Sequence, residues 1–172
     1  MTLSLYDVSV STFQQLLGGV SGFMDKGLAH CREHNIDPNE IVEARLFPDM
    51  APFRFQILSV VHHSRGAIEA VKTGEFRPPS SGSQDYATLQ TMVADAKAAI
   101  DNVAPDEVNS RATSDVIFKL GDRAIPFTAE GFLLSFSLPN FQFHATTAYD
   151  ILRSEGVKIG KRDYLGQMRI KR

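Results

Sequence analysis

A chain of 172 residues that is 43% hydrophobic predicts one globular domain over residues 1–172 with a sizeable core. The formal net charge of −2 excludes the basic surface of a nucleic-acid-binding protein, and no apolar run is long enough to span a bilayer. Because the single cysteine, Cys31, cannot form an internal disulfide and no secretory signal is visible, we expect a cytoplasmic protein.

The first predicted helix, Ser9–His34, has apolar residues at spacings of three and four along one face. A glycine inside a helix costs on the order of 1 kcal/mol relative to alanine, and this helix contains Gly18, Gly19, Gly22 and Gly27. We expect the close approach of a neighbouring helix or of a partner chain to compensate for that cost. The helix is therefore the candidate seam of a homodimer. A short helical turn is predicted after it, from Pro38 to Glu43.

Two more helices and a hairpin are predicted in the middle of the chain. Pro52 begins a second helix that ends near Lys72, and Asp85 caps a third helix that ends near Asn102. The proline- and serine-containing stretch between them, residues 74–84, is predicted to be a loop. Alternating apolar residues on both sides of Gly121-Asp122 indicate a β-hairpin over residues 114–127.

The last predicted helix, Thr128–Glu155, is apolar over most of its surface and carries two polar stripes at helical spacing. The more strongly charged stripe is predicted to face water and consists of Gln142, Thr146, Asp150 and Arg153. The other is predicted to point inward and consists of Ser137, Asn140, His144 and Thr147. Pro139 predicts a kink. The remaining tail is predicted to be irregular, with Tyr164 and Leu165 as docking points.

Four long helices and one small hairpin predict an all-α helical bundle, with the β-hairpin just before the last long helix. Four sequence blocks, which together extend over nearly the whole chain, then point to a family. They are residues 45–50 with Pro52-Phe53, residues 63–66, residues 138–153 and residues 156–166. In these blocks the chain resembles a bacterial and fungal domain-of-unknown-function family of the DinB/YfiT-like superfamily. The resemblance implies an up-down-down-up four-helix bundle that is commonly dimeric, in a family without an established activity.

The resemblance also implies a metal site. Better-studied members of the superfamily, which include thiol-dependent transferases and an isomerase, hold a divalent metal on three histidines. One histidine comes from the second helix and a His-x-x-x-His pair from the last helix. Here His63 matches the first and His144 matches one of the pair, but Ala148 and Asn140 stand at the two places for its companion. The implied cofactor is a divalent cation such as Zn or Ni, with His63 and His144 as an incomplete ligand set.

The candidate site combines the inward stripe with the second helix. We expect His63 and His144 to meet across the bundle, with Gln56, Asn140 and Thr147 lining a shared pocket. The leading hypothesis is a small-molecule-binding bundle with a degenerate metal site.

Two alternatives stay open. The first is a divalent-metal-dependent transferase or hydrolase that uses His63, His144 and a third ligand from Gln56, Asp49 or another helix. The second is a non-catalytic, structural dimer with the glycine-rich first helix as its seam. The sequence therefore leaves open whether the protein is an enzyme.

Other histidines are weaker candidates. His62 lies about 100° around the helix from His63 and is predicted to face water. His30 and His34 are spaced as a helical metal pair, but they are predicted to be a solvated helix end.

Overall fold

Most of the chain is helical in this computed structural model, which describes residues 3–79 and 82–171. The first part contains α1 (Leu5–Val8), α2 (Val10–His34) and α3 (Pro38–Val42). Helix α2 covers the predicted first helix and ends at Asn35, which adopts the left-handed conformation with φ 56°. Asp37 caps α3, because its side chain accepts a hydrogen bond from the backbone N–H of Asn39.

The second predicted helix is interrupted by a change of helix type. It consists of α4 (Phe53–Val61), a first π segment (His62–Gly66) and α5 (Ala67–Thr73). A π-helix has i→i+5 hydrogen bonds, so it accommodates an extra residue in one turn and shifts the helical register of the residues after it. The third predicted helix is α6 (Tyr86–Asp101), capped by Asp85 as predicted, and α7 (Pro105–Asn109) comes after it.

The last long helix has the same construction. It consists of α8 (Ala129–Gly131), a second π segment (Phe132–Ser137) and α9 (Leu138–Ser154). The π segment ends two residues before Pro139, close to where the proline predicts a kink. After α9 the tail forms a short helix, α10 (Lys161–Leu165), so the prediction of an irregular tail is wrong over these residues.

A three-stranded mixed sheet lies beside the helices. Strands β2 (Asp115–Leu120) and β3 (Arg123–Thr128) pair antiparallel, in a register that places Leu120 opposite Arg123. Strand β1 (Glu75–Phe76) pairs parallel with β2, within the segment that the sequence predicts to be a loop. Two residues are too few to show an alternating pattern, so the sequence carries no signal for β1.

The core lies where the long helices meet. Helix α2 packs against α6 and α9, and α4 packs against the same two helices. The rings of Phe13 on α2 and Phe141 on α9 meet edge to face at 5.0 Å, and both are fully buried. No helix of the described residues is both long enough and apolar enough to cross a membrane.

The glycines of α2 fall into two groups. A Cβ atom on Gly19 would lie 2.3 Å from the backbone oxygen of Tyr164 in α10, and one on Gly27 would lie 2.5 Å from the Tyr86 hydroxyl. Close approach within the chain therefore explains these two. Around Gly18 and Gly22, by contrast, the described residues beyond the adjacent residues and local backbone of α2 itself place no atom within 4 Å of such a Cβ.

Candidate functional site

The predicted site residues lie where α4 and the first π segment face the second π segment and α9. We call this contact within the chain the seam. His63 and Gln56 come from the first side, and His144 comes from the second. The rings of His63 and His144 are nearly parallel, with an interplanar angle of 13° and 6.1 Å between their centroids. The structure therefore brings together the two histidines and the glutamine that the sequence singles out.

His63 contacts Ser137 across the seam. The distance from His63 Nδ1 to Ser137 Oγ is 3.3 Å, and both side chains are buried. Each of the two residues belongs to a π segment. Such segments occur often at functional sites, because the inserted residue re-aims side chains without ending the helix. Ser137 belongs to the inward stripe in the sequence, but the sequence does not show that it contacts His63.

A hydrogen-bonded chain determines the tautomer of His144. Gln56 Nε2 donates to the backbone oxygen of Ala51 at 2.8 Å, which directs Gln56 Oε1 toward the imidazole. His144 Nδ1 lies 2.7 Å from that oxygen. An amide oxygen only accepts hydrogen bonds, so Nδ1 must carry the hydrogen. In the neutral ring, Nε2 of His144 therefore bears the lone pair.

Both imidazoles are neutral at physiological pH. Burial, together with the smaller effects of the nearby His62 and His144 rings, lowers the pKa of His63 from its usual 6.5 to about 3. Burial alone lowers the pKa of His144 to about 4. Removing a cation from water costs more than removing a neutral ring, so the folded protein disfavours protonation of both rings.

Aromatic rings surround the two histidines differently. The ring of His144 meets Phe55 at 5.8 Å and Phe143 at 5.2 Å, both edge to face. Phe55 is 40% exposed and Phe143 is 59% exposed, so His144 contacts two rings that reach the surface. His63 instead contacts Phe76 and Phe136 in the interior.

Asn140 and Thr147 bond to their own helix. Asn140 Nδ2 donates to the backbone oxygen of Phe136, and Thr147 Oγ1 donates to that of Phe143, each at 2.8 Å. Thr147 is buried and Asn140 is half-buried, whereas the stripe predicted to face water is exposed at all four positions. A role for Asn140 and Thr147 in lining a pocket stays a prediction.

The residues at the seam do not fit the three-histidine metal site that the resemblance implies. Within residues 3–79 and 82–171, no three or more histidine, cysteine or carboxylate side chains are grouped so that they could hold a metal ion. Ala148 has no ligand atom, and the amide of Asn140 bonds to a backbone oxygen. Zinc is held by histidine, cysteine and carboxylate ligands, and among the described residues this contact offers two histidines of that kind, His63 and His144.

The environment of His62 differs from the one that the sequence predicts. Its ring stacks on Phe76 at 4.2 Å and its Nε2 atom is buried, so His62 is half-buried and faces water only in part. The reason is strand β1, which places Phe76 over the ring and which the sequence does not reveal. Burial lowers the pKa of His62 as well, and the backbone of Arg77 partly offsets that effect.

Comparison with known proteins gives a family and a fold. Residues 5–165 match the family model described as "Domain of unknown function (DUF1993)". A crystal structure of a DinB family member protein from Shewanella denitrificans is 25% identical with a TM-score of 0.81, over 98% of this chain and 95% of that one. A DinB-like protein from Bacillus subtilis shares the fold at 11% identity, with a TM-score of 0.62 over 92% and 98% of the two chains. The chain matches none of the curated proteins with which it was compared.

The lowered pKa values of His63 and His144 predict a pH-dependent stability. An unfolded chain binds protons at both rings below about pH 6.5, whereas the folded chain resists protonation down to about pH 4 or 3. Since the unfolded state then holds more protons, the free energy of unfolding must fall as the pH decreases through this window. We expect a loss on the order of 1 kcal/mol per pH unit for each ring, measured by urea unfolding between about pH 7 and about pH 5.

A pair of variants isolates the contribution of one ring. His63→Leu removes a buried titrating group and should give a shallower dependence of unfolding free energy on pH. Thr146→Leu, which removes no titrating group and lies at an exposed position of α9, should leave the slope of the wild type unchanged. A slope in His63→Leu as steep as that of the wild type would contradict the assignment.

Proposed function

The chain belongs to the DUF1993 family and has DinB-like structural neighbours, and from this premise we propose that it binds a small organic molecule at His144 without a metal ion. The observation that carries the proposal is the chain of hydrogen bonds from Ala51 through Gln56 to His144. It supports a lone pair on His144 Nε2 as a fixed acceptor for an N–H or O–H group of a ligand. The topology we infer for the bundle is the up-down-down-up arrangement implied by the resemblance.

Binding is favoured over general base catalysis by the electrostatics of the ring. A catalytic base works best when its pKa lies near the operating pH, and the pKa of His144 is about 4. Its partner Gln56 is a neutral amide, which orients the ring but does not stabilise an imidazolium as a carboxylate does. A neutral imidazole of this kind accepts a hydrogen bond well and takes up a proton poorly.

The surroundings of His144 suit an apolar ligand body. Phe55 and Phe143 flank the ring and remain substantially exposed. Aromatic side chains with a few fixed polar groups are the usual lining of small-molecule sites. We infer that the ligand places a ring or an apolar chain between the two phenylalanines and directs its donor at His144 Nε2. His63, Asn140 and Thr147 complete the proposed pocket on its inner side.

The proposal predicts selective binding of a donor-bearing aromatic probe. Phenol should shift the NMR resonances of His144, Phe55 and Phe143, whereas anisole, which lacks the O–H donor, should bind about fivefold to tenfold more weakly. His144→Phe keeps an aromatic ring but removes the acceptor, so it should bind the two probes equally. His34→Phe is the matched control and should behave as the wild type. Equal binding of phenol and anisole by the wild type would refute the proposed acceptor.

The rival proposal is a divalent-metal-dependent transferase or hydrolase. It needs His63 and His144 as ligands and a third ligand. The described residues at the seam offer no third histidine, cysteine or carboxylate, so this proposal is the weaker alternative. We predict that purified wild-type protein, after dialysis against Zn²⁺ or Ni²⁺, holds no more metal than a His63→Ala/His144→Ala variant. Elemental analysis measures the content, and one metal ion per chain that disappears in the double variant would favour the rival.

A dimer is a second proposal, and the open face of α2 supports it. Gly18 and Gly22 are four residues apart, and among the described residues no other element of the chain comes near the position of a Cβ on either of them. Small residues at this spacing allow two helices to approach closely. We predict that light scattering gives twice the chain mass of 19.0 kDa for the wild type. In Gly22→Leu the mass should fall to that of one chain. Thr146→Leu on the exposed side of α9 is the control. An unchanged mass in Gly22→Leu would count against α2 as the dimer interface.

A further inference from the structure

The hydroxyl of Ser137 determines the tautomer of His63. Ser137 is fully buried, and among the described residues its Oγ atom bonds to His63 Nδ1 and to no other group. The nearby Ser135 instead donates to a backbone oxygen one turn back in its own helix. For Ser137 the corresponding oxygen belongs to Leu133, and it accepts the backbone N–H of Leu138 at the end of the second π segment.

The hydrogen of the Ser137 hydroxyl is therefore donated to His63. Buried polar groups in native proteins are nearly always paired, and His63 Nδ1 is the acceptor within reach of this hydroxyl. A neutral imidazole that accepts at Nδ1 carries its hydrogen on Nε2. His63 Nε2 is thus a donor, whereas His144 Nε2 is an acceptor, because Gln56 accepts the hydrogen on Nδ1 of that ring. The two stacked rings have opposite tautomers.

Both Nε2 atoms are open to a ligand. Within the part of the chain that the structure describes, no residue bonds to Nε2 of His63 or of His144. Neither atom is among the fully buried side-chain nitrogens and oxygens that lack a partner in that part of the chain. A ring nitrogen that has no protein partner and is not enclosed in the interior reaches solvent-accessible space.

The distance between the two rings suits a single small group. Their planes are nearly parallel and their centroids are 6.1 Å apart. An imidazole nitrogen lies roughly 1 Å from the centre of its ring, so the two Nε2 atoms are about 4 to 8 Å apart. A planar amide that makes one hydrogen bond of about 2.9 Å at its N–H and another at its carbonyl oxygen spans distances in this range.

We propose that the ligand of this site is a neutral carboxamide, whose N–H group donates to His144 Nε2 and whose carbonyl oxygen accepts from His63 Nε2. This inference rests on the proposed function, because it names the class of ligand that the same site takes.

The complementary tautomers select the amide over charged groups. A carboxylate only accepts hydrogen bonds and cannot donate to His144, and an ammonium group only donates and cannot pair with His63. A carboxamide carries a donor and an acceptor in one plane and has no charge to desolvate. The hydrocarbon part of such a ligand then contacts the exposed rings of Phe55 and Phe143, which meet His144 edge to face.

The test compares two amides that differ in the acceptor. Benzamide has a carbonyl oxygen, and thiobenzamide keeps the N–H groups but replaces that oxygen with sulfur, a weak acceptor. In NMR titrations of the wild-type chain, benzamide should shift the side-chain resonances of His63 and His144. Thiobenzamide should bind about fivefold more weakly, because the N–H of His63 then lacks a good acceptor. Equal affinities for the two amides would overturn the inference.

A matched pair of variants separates the two ends of the ligand. His63→Phe keeps an aromatic ring but removes the donor, so it should bind both amides equally while it still prefers phenol to anisole. His34→Phe should keep the fivefold preference for benzamide. If the wild type prefers phenol to anisole but binds the two amides alike, this inference fails and the proposed function stands. Equal binding of phenol and anisole refutes both.

The tautomer of His63 can also be measured without a ligand or a variant. In a long-range ¹H–¹⁵N correlation spectrum of the wild-type chain at neutral pH, His63 should show its lone pair on Nδ1 and its hydrogen on Nε2. A neutral His63 with its hydrogen on Nδ1 would overturn the inference, because both rings would then present acceptors.

Discussion

The hydrogen bond between Gln56 and His144 determines what the seam between α4 and α9 can do. Because one N–H of Gln56 Nε2 donates to the backbone oxygen of Ala51, the amide is oriented with its oxygen toward His144 Nδ1. The hydrogen on Nδ1, the lone pair on Nε2 and the fixed direction of the ring all result from that constraint. Burial then keeps the ring neutral. Together these effects produce a rigid acceptor between two exposed aromatic rings, and the proposed function depends on this acceptor.

The periodicity of the last helix was sufficient to predict most of this arrangement. Stepping by 3.6 residues places Gln142 and Asp150 on the water side and His144 on the inner side, and the structure agrees. Helix periodicity could not reveal the two π segments, because no residue type marks an inserted residue in a helix. The contact between His63 and Ser137 depends on both of those segments. Strand β1 is also too short to leave a pattern, and the stacking of the His62 ring on Phe76 results from it.

The comparison with the DinB-like superfamily is most informative where this chain departs from it. The metal site implied by the resemblance to the superfamily would need a second histidine four residues from His144, and the chain has Ala148 on one side and Asn140 on the other. A buried alanine leaves the core packing of α9 intact, while the Asn140 amide is used by the backbone oxygen of Phe136. In our account the contact between α4 and α9 holds neutral hydrogen-bonding groups in place of the metal ligands that the resemblance implies.

The protonation of His144 is the most direct test of this account. A long-range ¹H–¹⁵N correlation spectrum of the wild-type chain at neutral pH distinguishes a protonated ring nitrogen from one with a lone pair. The account predicts a neutral His144 with the hydrogen on Nδ1 and the lone pair on Nε2. A charged ring, or a neutral ring with its hydrogen on Nε2, would contradict the role assigned to Gln56 and with it the proposed site.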